Sequence, residues 1–227
     1  MILETTKSSL GKKLLMAITG AGLFLFVIAH MMGNLQIFLG QAAINHYAHF
    51  LQSNPEVLWP ARIGLLLFVG IHIWTSVSLT LENRAARGTP YEVKKVVDAS
   101  LASRTMIWTG LLVAAYVVYH LLQFTLMTTN PSYRTLEYTT AEGARIHDVY
   151  RMMILNFSNL GIAVSYIIAM SLLCLHVSHG AGSMFQSLGL KNESYAGRIR
   201  CFASAASWIL FLGYASVPLA IQMGWVK

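Results

Sequence analysis

The fold is decided by a set of apolar runs, of which residues 24–35, FLFVIAHMMGNL, are the most informative because they enclose a histidine, His30. An ionisable side chain inside a membrane-spanning run is costly to leave without a partner, so it marks a functional site by default. The pattern recurs in three later runs, with His72 in 65–81, His120 in 107–127 and His176 in 160–180. One histidine in each of four successive apolar segments is therefore the main functional signal in the sequence.

The composition is typical of a membrane protein. Of the 227 residues, 56% are apolar and 11% are charged, and the mean hydropathy is +0.56, whereas about a quarter of the residues of a soluble domain are charged. A helix needs roughly 20 apolar residues to cross the bilayer core. Five segments qualify, at about 13–39, 61–83, 104–128, 154–180 and 202–224. We therefore predict an all-α integral membrane bundle of five transmembrane helices, forming a single domain over residues 1–227.

Two other interpretations of the composition are disfavoured. Lys7, Lys12 and Lys13 precede the first apolar run, as in a signal peptide, but that run is too long for an h-region and no Ala-x-Ala cleavage site follows it. The only cysteines, Cys174 and Cys201, lie in or beside apolar segments, so neither a disulfide framework nor a thiolate metal site is indicated.

The distribution of basic residues predicts the orientation in the membrane. With a cytoplasmic N-terminus, 11 Lys and Arg residues fall inside and 5 outside. Those inside are Lys7, Lys12, Lys13, Arg84, Arg87, Lys94, Lys95, Arg104, Lys191, Arg198 and Arg200, and those outside are Arg62, Arg134, Arg145, Arg151 and Lys227. The basic inner face suits an acidic or large soluble partner. It lacks the aromatic interleaving and motifs of a nucleic-acid binder, so lipid and protein partners are expected and nucleic acid is not.

Neutral imidazoles in an apolar bundle suit haem iron, whose two axial positions can be filled from different helices. His30 is 17 residues from Lys13 and His120 is 17 residues from Ser103. At 1.5 Å per residue, both lie about 25 Å from the cytoplasmic end. These two histidines therefore match in depth.

The other two histidines agree less well. His72 is 12 residues from Pro60 and His176 is 22 residues from Ile154, which places them about 18 Å and 33 Å below the outer surface. Both are still nearer the cytoplasm than the first pair. Only the pairing of His30 with His120 and of His72 with His176 keeps partners at similar depth, which predicts an outer and an inner haem b forming an electron path.

Neighbouring residues support the haem interpretation weakly. Gly33 is three residues from His30 and Gly180 is four from His176, and a missing side chain would let a flat macrocycle approach each helix. Helix packing is the alternative role of each glycine. His179, three residues beyond His176, shares roughly one face with it and is less deep, so either could be the buried histidine.

The loops carry further polar side chains. Residues 41–60 predict one short amphipathic surface helix, with Pro60 opening the second spanning helix. His46 and His49 in this loop either belong to a solvated interfacial helix or line a small-molecule site. Residues 83–103, with a turn at 88–90, are expected to form a hydrophilic connector. The second outer loop, 129–151, ends in a predicted solvated helix start that includes His147 and Asp148.

Three stretches together resemble one known family. They are Ser9 to Lys13 with Met16, Ala17, Thr19, Gly20, His30, Gly33, Asn34 and Leu35; Trp59 to Arg62; and His176 to Gly180 with Ser183, Phe185, Gln186 and Gly189. They are similar to the membrane cytochrome b subunit of succinate dehydrogenase and fumarate reductase, in its single-chain, five-helix, two-haem form. The likeness extends over nearly the whole chain.

The resemblance implies a bacterial inner-membrane protein that binds the outer haem through His30 and His120 and the inner one through His72 and His176, in preference to His179. It implies a flavoprotein subunit, where succinate and fumarate interconvert, and an iron–sulfur subunit on the cytoplasmic face. Electrons would pass to or from menaquinone or ubiquinone near the outer haem, with candidate contacts at His46, Tyr47, His49 and Arg62. Some members use an acidic residue for proton movement, two positions before the ligand that corresponds to His176; in this chain that position is Cys174.

Other functions remain open from the sequence. A haem b subunit of a hydrogenase or formate dehydrogenase would use the same chemistry. A transporter or proton channel could use buried histidines as a relay, but it would be expected to show acidic partners in the membrane, and the apolar segments contain essentially none. A purely structural membrane anchor would be colourless. None of these alternatives places substrate chemistry within the chain, which lacks a flavin or nucleotide fingerprint.

Overall fold

Five long apolar helices dominate the computed structural model, which describes residues 8–86 and 100–227. They are α1 (Ser9–Leu35), α3 (Pro55–Ala85), α4 (Leu101–His120), α6 (Leu160–Ser187) and α7 (Glu193–Gln222). Two shorter helices, α2 (Gln41–Gln52) and α5 (Val149–Phe157), lie between them in the chain. The prediction of an all-α membrane bundle with five spanning helices is confirmed, and α2 is the short helix expected in the first loop.

The two ends of the bundle differ in the elements that cover them. We call the end that carries Ser9 and Ala85 the N-terminal side, and the end that carries Leu35 and Pro55 the far side. The far side is covered by α2, α5 and a hairpin of β1 (Glu137–Thr139) and β2 (Arg145–His147), in which Tyr138 faces Ile146. Short 3-10 turns at Gln36–Leu39 and Pro131–Thr135 complete this cover.

Polar side chains set where several helices begin. A helix leaves its first backbone N–H groups without partners, and a side-chain oxygen at the N-cap can accept one of them. In the part of the chain that the structure describes, the side chains that do so are Ser8, Ser100, Asp148, Asn159 and Asn192. In α3 Pro55 stands in the first turn instead, where its missing N–H is harmless.

These starts correct three predicted boundaries. The second spanning helix begins at Pro55 rather than 61, so Pro60 lies inside it and not in its first turn. The fourth predicted segment, 154–180, is broken, because Asn159 caps a new helix two residues after α5 ends. The fifth begins at Glu193 rather than 202. Its first turns are helical but polar, so a search for apolar runs does not include them.

The spanning helices pack around α1 and α6, which contact each other. Helix α3 packs on α1 and α4 on α6, whereas α3 and α4 hardly touch; α7 lies against both central helices. The histidine-bearing helices α1, α3, α4 and α6 thus form a four-helix bundle in which α1 faces α4 diagonally and α3 faces α6. On the N-terminal side, a partly buried ion pair between Lys12 and Glu82 joins α1 to α3.

The main buried core lies on the far side. It consists of Ile37, Ile44, Met153, Phe157, Tyr166, Val217, Ala220, Ile221 and Val226. Asp148, predicted to be part of a solvated helix start, is only 2% exposed. Its carboxylate accepts hydrogen bonds from Gln41 Nε2 at 2.8 Å and Asn45 Nδ2 at 2.9 Å and caps α5, so burial is compensated and the prediction of a solvated position is wrong.

Part of the predicted topology falls outside the described residues. Lys7, Arg87, Lys94 and Lys95 are in this group, as is the turn predicted at 88–90. The other basic residues assigned to the cytoplasm are near helix ends on the N-terminal side. The basic residues assigned to the outside lie on the far side.

Candidate functional site

The four histidines of the apolar segments meet in two pairs inside the bundle. The ring centroids of His30 and His120 are 5.8 Å apart with an angle of 80° between the ring planes. Those of His72 and His176 are 6.3 Å apart at 70°. The two pairs join helices across the two diagonals of the bundle, α1 with α4 and α3 with α6. These are the two pairings that depth alone predicts.

The separation within each pair fits one shared metal ion. An imidazole nitrogen binds a transition metal at about 2 Å, and the ring centre lies about 1 Å further back, so two axial imidazoles on one iron have centroids roughly 6 Å apart. Both measured separations are close to this value. The residues present therefore fit bis-histidine ligation of haem, which requires only two protein ligands per iron.

The observed helix starts remove the depth mismatch of the second pair. His72 lies 17 residues after Pro55, and His176 lies 16 residues after Leu160. Both are therefore about 25 Å below the far ends of their helices. The predicted discrepancy arose because one helix begins earlier than expected and the other later.

Threonine hydroxyls fix the tautomer of the His72 and His176 rings. Thr19 Oγ1 lies 3.2 Å from His72 Nδ1 and donates its own hydrogen to the carbonyl of Leu15 at 2.7 Å. With its hydrogen used in this way, the hydroxyl accepts the Nδ1–H of His72. The Nε2 atom of His72 is then left with a free lone pair, the form in which a histidine binds a metal.

The second ring of this pair is held in the same way from α4. Thr109 Oγ1 is 3.4 Å from His176 Nδ1 and 3.1 Å from the carbonyl oxygens of Thr105 and Met106. The hydroxyl hydrogen again goes to the backbone, so Nδ1 of His176 is the donor. Both rings therefore present an unprotonated Nε2.

Glycines next to the two threonines allow the ring edges to lie against the helices. A Cβ atom added at Gly20 would be 3.2 Å from His72 Cε1, and one added at Gly110 would be 3.0 Å from His176 Cε1. Both distances are shorter than ordinary van der Waals contact. Each ring thus rests on a Thr-Gly step of the preceding spanning helix.

A chain of side-chain hydrogen bonds orients His120 from the far side. Asn156 Nδ2 donates to the Met152 carbonyl at 2.9 Å, so Asn156 Oδ1 accepts from Gln123 Nε2 at 2.7 Å. Gln123 Oε1 then accepts the Tyr166 hydroxyl hydrogen at 2.8 Å. The Tyr166 oxygen, 3.3 Å from His120 Nδ1, accepts from that nitrogen. Because the Met152 carbonyl oxygen can only accept, it determines which atom donates in each later hydrogen bond of this chain. His120 therefore donates from Nδ1 and also presents an unprotonated Nε2.

Packing holds the fourth ring. Phe26 stacks on His30 with ring centroids 5.4 Å apart, and Tyr214 lies 6.2 Å away. The partner ring, His120, is the last residue of α4, directly before a π-helical turn at Leu121–Thr125. Such turns are rare and occur frequently at functional sites.

Of the four candidate quinone contacts, Tyr47 packs against α1 beside Gly33. Its ring covers Gly33, where an added Cβ would be 2.7 Å from Tyr47 Cε1 and 3.0 Å from the hydroxyl oxygen. Gly33 is one helical turn beyond His30. The space that Gly33 was expected to leave for a macrocycle is therefore filled by Tyr47, and that expectation is wrong.

The other three candidates do not converge on Tyr47. His46 is exposed, its Nδ1 is 2.8 Å from the Ala42 carbonyl oxygen, and its ring faces Tyr138 of the hairpin at 6.3 Å. His49 is exposed on the surface of α2. The guanidinium of Arg62 lies over the Trp59 ring of its own helix at 5.3 Å.

Two further residues near His176 have local roles. His179 Nε2 is 3.0 Å from Ser183 Oγ on the same helix, so His176 and not His179 meets the ring of α3. A Cβ at Gly180 would reach only Met106 Cε, at 3.9 Å, which is an ordinary packing contact.

Sequence reasoning missed the role of the threonines, although the signal is present. The pattern Met-x2-Thr-Gly-x9-His occurs twice, 90 residues apart, as Met16, Thr19, Gly20 and His30 in α1 and as Met106, Thr109, Gly110 and His120 in α4. In both helices the threonine, which contacts the His72–His176 pair, is 11 residues before the histidine of the other pair. At 1.5 Å per residue, the two histidine pairs are therefore about 16 Å apart along the bundle. A search for internal repeats would have found this pattern.

Within residues 8–86 and 100–227, no group of three or more His, Cys, Asp or Glu side chains could hold a metal ion. Comparison of the chain with protein-family models, curated proteins and solved structures finds no match.

Proposed function

We propose that this chain is the dihaem cytochrome b membrane subunit of a succinate:quinone oxidoreductase. In this role it carries electrons between an iron–sulfur subunit and a membrane quinone, and the dicarboxylate chemistry takes place on a separate flavoprotein subunit. The observation that supports the proposal best is the presence of two diagonal histidine pairs in one four-helix bundle, each with the ring separation of two ligands on one iron.

The four histidines would hold the two haem irons. His30 and His120 would hold one haem b, and His72 and His176 would hold the other, through Nε2. Bound haem supplies one-electron carriage between ferric and ferrous iron. The chain's own contribution is to keep the imidazoles neutral, to orient them through Thr19, Thr109 and Tyr166, and to surround them with apolar side chains.

The spacing of the pairs suits transfer across the membrane. About 16 Å along the bundle separates them, compared with a hydrocarbon core of roughly 30 Å. We assign the N-terminal side to the cytoplasm of a bacterial inner membrane because it carries most of the basic residues. The iron–sulfur and flavoprotein subunits would dock there, near the His72–His176 pair.

On the far side we place the reaction with menaquinone or ubiquinone. Tyr47 is the first candidate for a hydrogen bond to a quinone oxygen, because its ring lies on α1 one turn beyond His30. His46, His49 and Arg62 contact other parts of the structure and are weaker candidates. The far side is also where α2 and the hairpin surround the ends of the spanning helices.

The paired rings favour this function over a histidine relay. A relay needs proton donors and acceptors that connect successive histidines, and acidic partners are the usual ones in membranes. In the five spanning helices as described, the acidic residues are Glu56, Glu82 and Glu193, each in the first or last turn of its helix. A hydrogenase or formate dehydrogenase subunit would differ in the soluble subunits that copurify.

The test is a reduced-minus-oxidised spectrum and a haem-to-protein ratio of the purified membrane complex. Two b-type haems per chain, reducible by succinate, are the expected result, and His179→Ala is a matched control that should retain both. Two haems that succinate does not reduce would exclude the dehydrogenase assignment. A complex without haem would overturn the ligand assignments altogether.

A further inference from the structure

We propose that Thr19 and Thr109 are positioning residues for the second histidine pair, each holding one imidazole in the Nδ1-protonated form and strengthening it as an iron ligand. The inference rests on the proposed function, because it concerns how the same site works. It assigns to two threonines of the spanning helices a role distinct from helix packing.

Each of the two threonine hydroxyls accepts a hydrogen bond from its histidine and does not donate one to it. Each hydroxyl has a single hydrogen, and a backbone carbonyl of its own helix takes it, at 2.7 Å for Thr19 and 3.1 Å for Thr109. The oxygen can then only accept from the ring nitrogen it faces. A neutral histidine in this position has one permitted tautomer, with Nε2 free. The alternative tautomer would bring two unprotonated acceptors together inside the membrane.

The same threonine–histidine arrangement occurs twice in the bundle. The Thr-Gly step occurs at the same register in α1 and α4, and in both cases it holds the histidine of the next spanning helix, α3 or α6. Helices α1 and α3 form one pair and α4 and α6 the other. Each helix pair holds one threonine-bonded imidazole, and these two imidazoles meet at the His72–His176 contact. Two occurrences of the same geometry at matched positions favour a common task over incidental packing.

The chemical consequence follows from ligand basicity. A hydrogen bond from Nδ1–H to an acceptor increases the electron donation of Nε2 to a bound metal and fixes the orientation of the ring. Stronger donation favours ferric over ferrous iron. Loss of either threonine acceptor should therefore raise the midpoint potential of the haem held by His72 and His176 and leave the other haem unchanged.

The experiment uses the full complex and replaces Thr19 or Thr109 by valine, which keeps the shape and removes the hydroxyl. Redox titration should show an upward shift of one haem only. A tenfold change in the ferric–ferrous equilibrium corresponds to about 59 mV, and we expect a shift of this size or less. Thr19→Ser and Thr109→Ser keep an acceptor and should return the potential to that of the unsubstituted protein.

A matched control comes from α3. Thr80 also donates to a carbonyl four residues earlier, that of Ser76 at 2.8 Å, and it lies eight residues beyond His72. Thr80→Val should therefore leave both potentials unchanged. If it shifts the same haem as Thr19→Val and Thr109→Val do, the effect comes from loss of helix polarity and the inference is overturned.

The remaining outcomes separate this inference from the proposed function. Unchanged potentials in both valine variants, with two haems bound, would overturn the positioning role and leave the function standing. If the valine variants lose one haem while the serine variants retain it, the haem content itself supports the positioning role of the hydroxyl. Equal loss with valine and serine would contradict it. Absence of haem from the unsubstituted complex would overturn the proposed function itself.

Discussion

The two histidine pairs are held by different means, although their geometry is similar. His72 and His176 rest on threonine–glycine steps built from a repeated local pattern. His120 is oriented through Tyr166 and Gln123 by Asn156, which belongs to a short helix outside the spanning bundle. The N-terminal pair depends on neighbouring spanning helices alone, whereas the far pair depends on the cover of the bundle.

This difference shows two ways of orienting an imidazole in an apolar environment. A threonine that bonds back to its own helix is a ready acceptor, and it needs only a close helix–helix approach. An amide chain spans a longer distance, but every link must be satisfied because a buried polar group without a partner is costly. The far site is therefore expected to be more sensitive to changes in the surrounding loops.

The largest expected effect is the loss of one haem when a histidine of one pair is replaced. Under the proposed ligation, His72→Ala would remove one of the two ligands of one iron and should reduce the haem content from two per chain to one, while His30→Ala should remove the other haem. The measurement is the haem-to-protein ratio together with the potential of the haem that remains. Retention of both haems in either variant would contradict the pairing, and identical residual spectra would contradict two distinct sites.

A smaller effect should be confined to the far side. Asp148→Ala removes a buried carboxylate that accepts from Gln41 and Asn45 and caps α5. Leaving these donors unsatisfied should lower the free energy of unfolding by about 2–4 kcal/mol. Thermal unfolding in detergent measures the change. Glu142→Ala, at an exposed position of the hairpin, is the control and should leave the unfolding temperature nearly unchanged.

The predicted loss of stability also tests the dependence of the far pair on its cover. In Asp148→Ala the spectrum of the haem held by His30 and His120 should be lost at a lower temperature than that of the other haem. Simultaneous loss of both signals, at an unchanged temperature, would show that the cover does not support the far pair.

The smallest expected change in a haem potential comes from Tyr166. Tyr166→Phe retains the aromatic packing around His120 but removes the oxygen that accepts from its Nδ1. The potential of the far haem should rise by less than about 59 mV, since only one of its two ligands is affected. The potential of the haem on His72 and His176 should not change. A shift of the potential of the haem on His72 and His176 instead would contradict the assignment of Tyr166 to the His30–His120 pair.

Much of this fold follows from the sequence because the bilayer restricts it so strongly. Apolar runs long enough to cross the membrane have to be helices, since backbone polar groups find no water there. Depth along a helix is then a matter of counting residues, which is why both histidine contacts could be predicted. For the histidine-bearing helices the count was wrong at Pro55 and Asn159, where a single residue moves a helix start.

The sequence by itself determined the number of spanning helices, the depth of each histidine and the pairing that depth permits. The tertiary structure decided which side chains face each ring: Thr19 and Thr109 at one pair, Tyr166 at the other, and Tyr47 over Gly33. The physical reason is that hydropathy and residue count specify position along the membrane normal. The rotation of each helix about its own axis depends on how all the helices pack together.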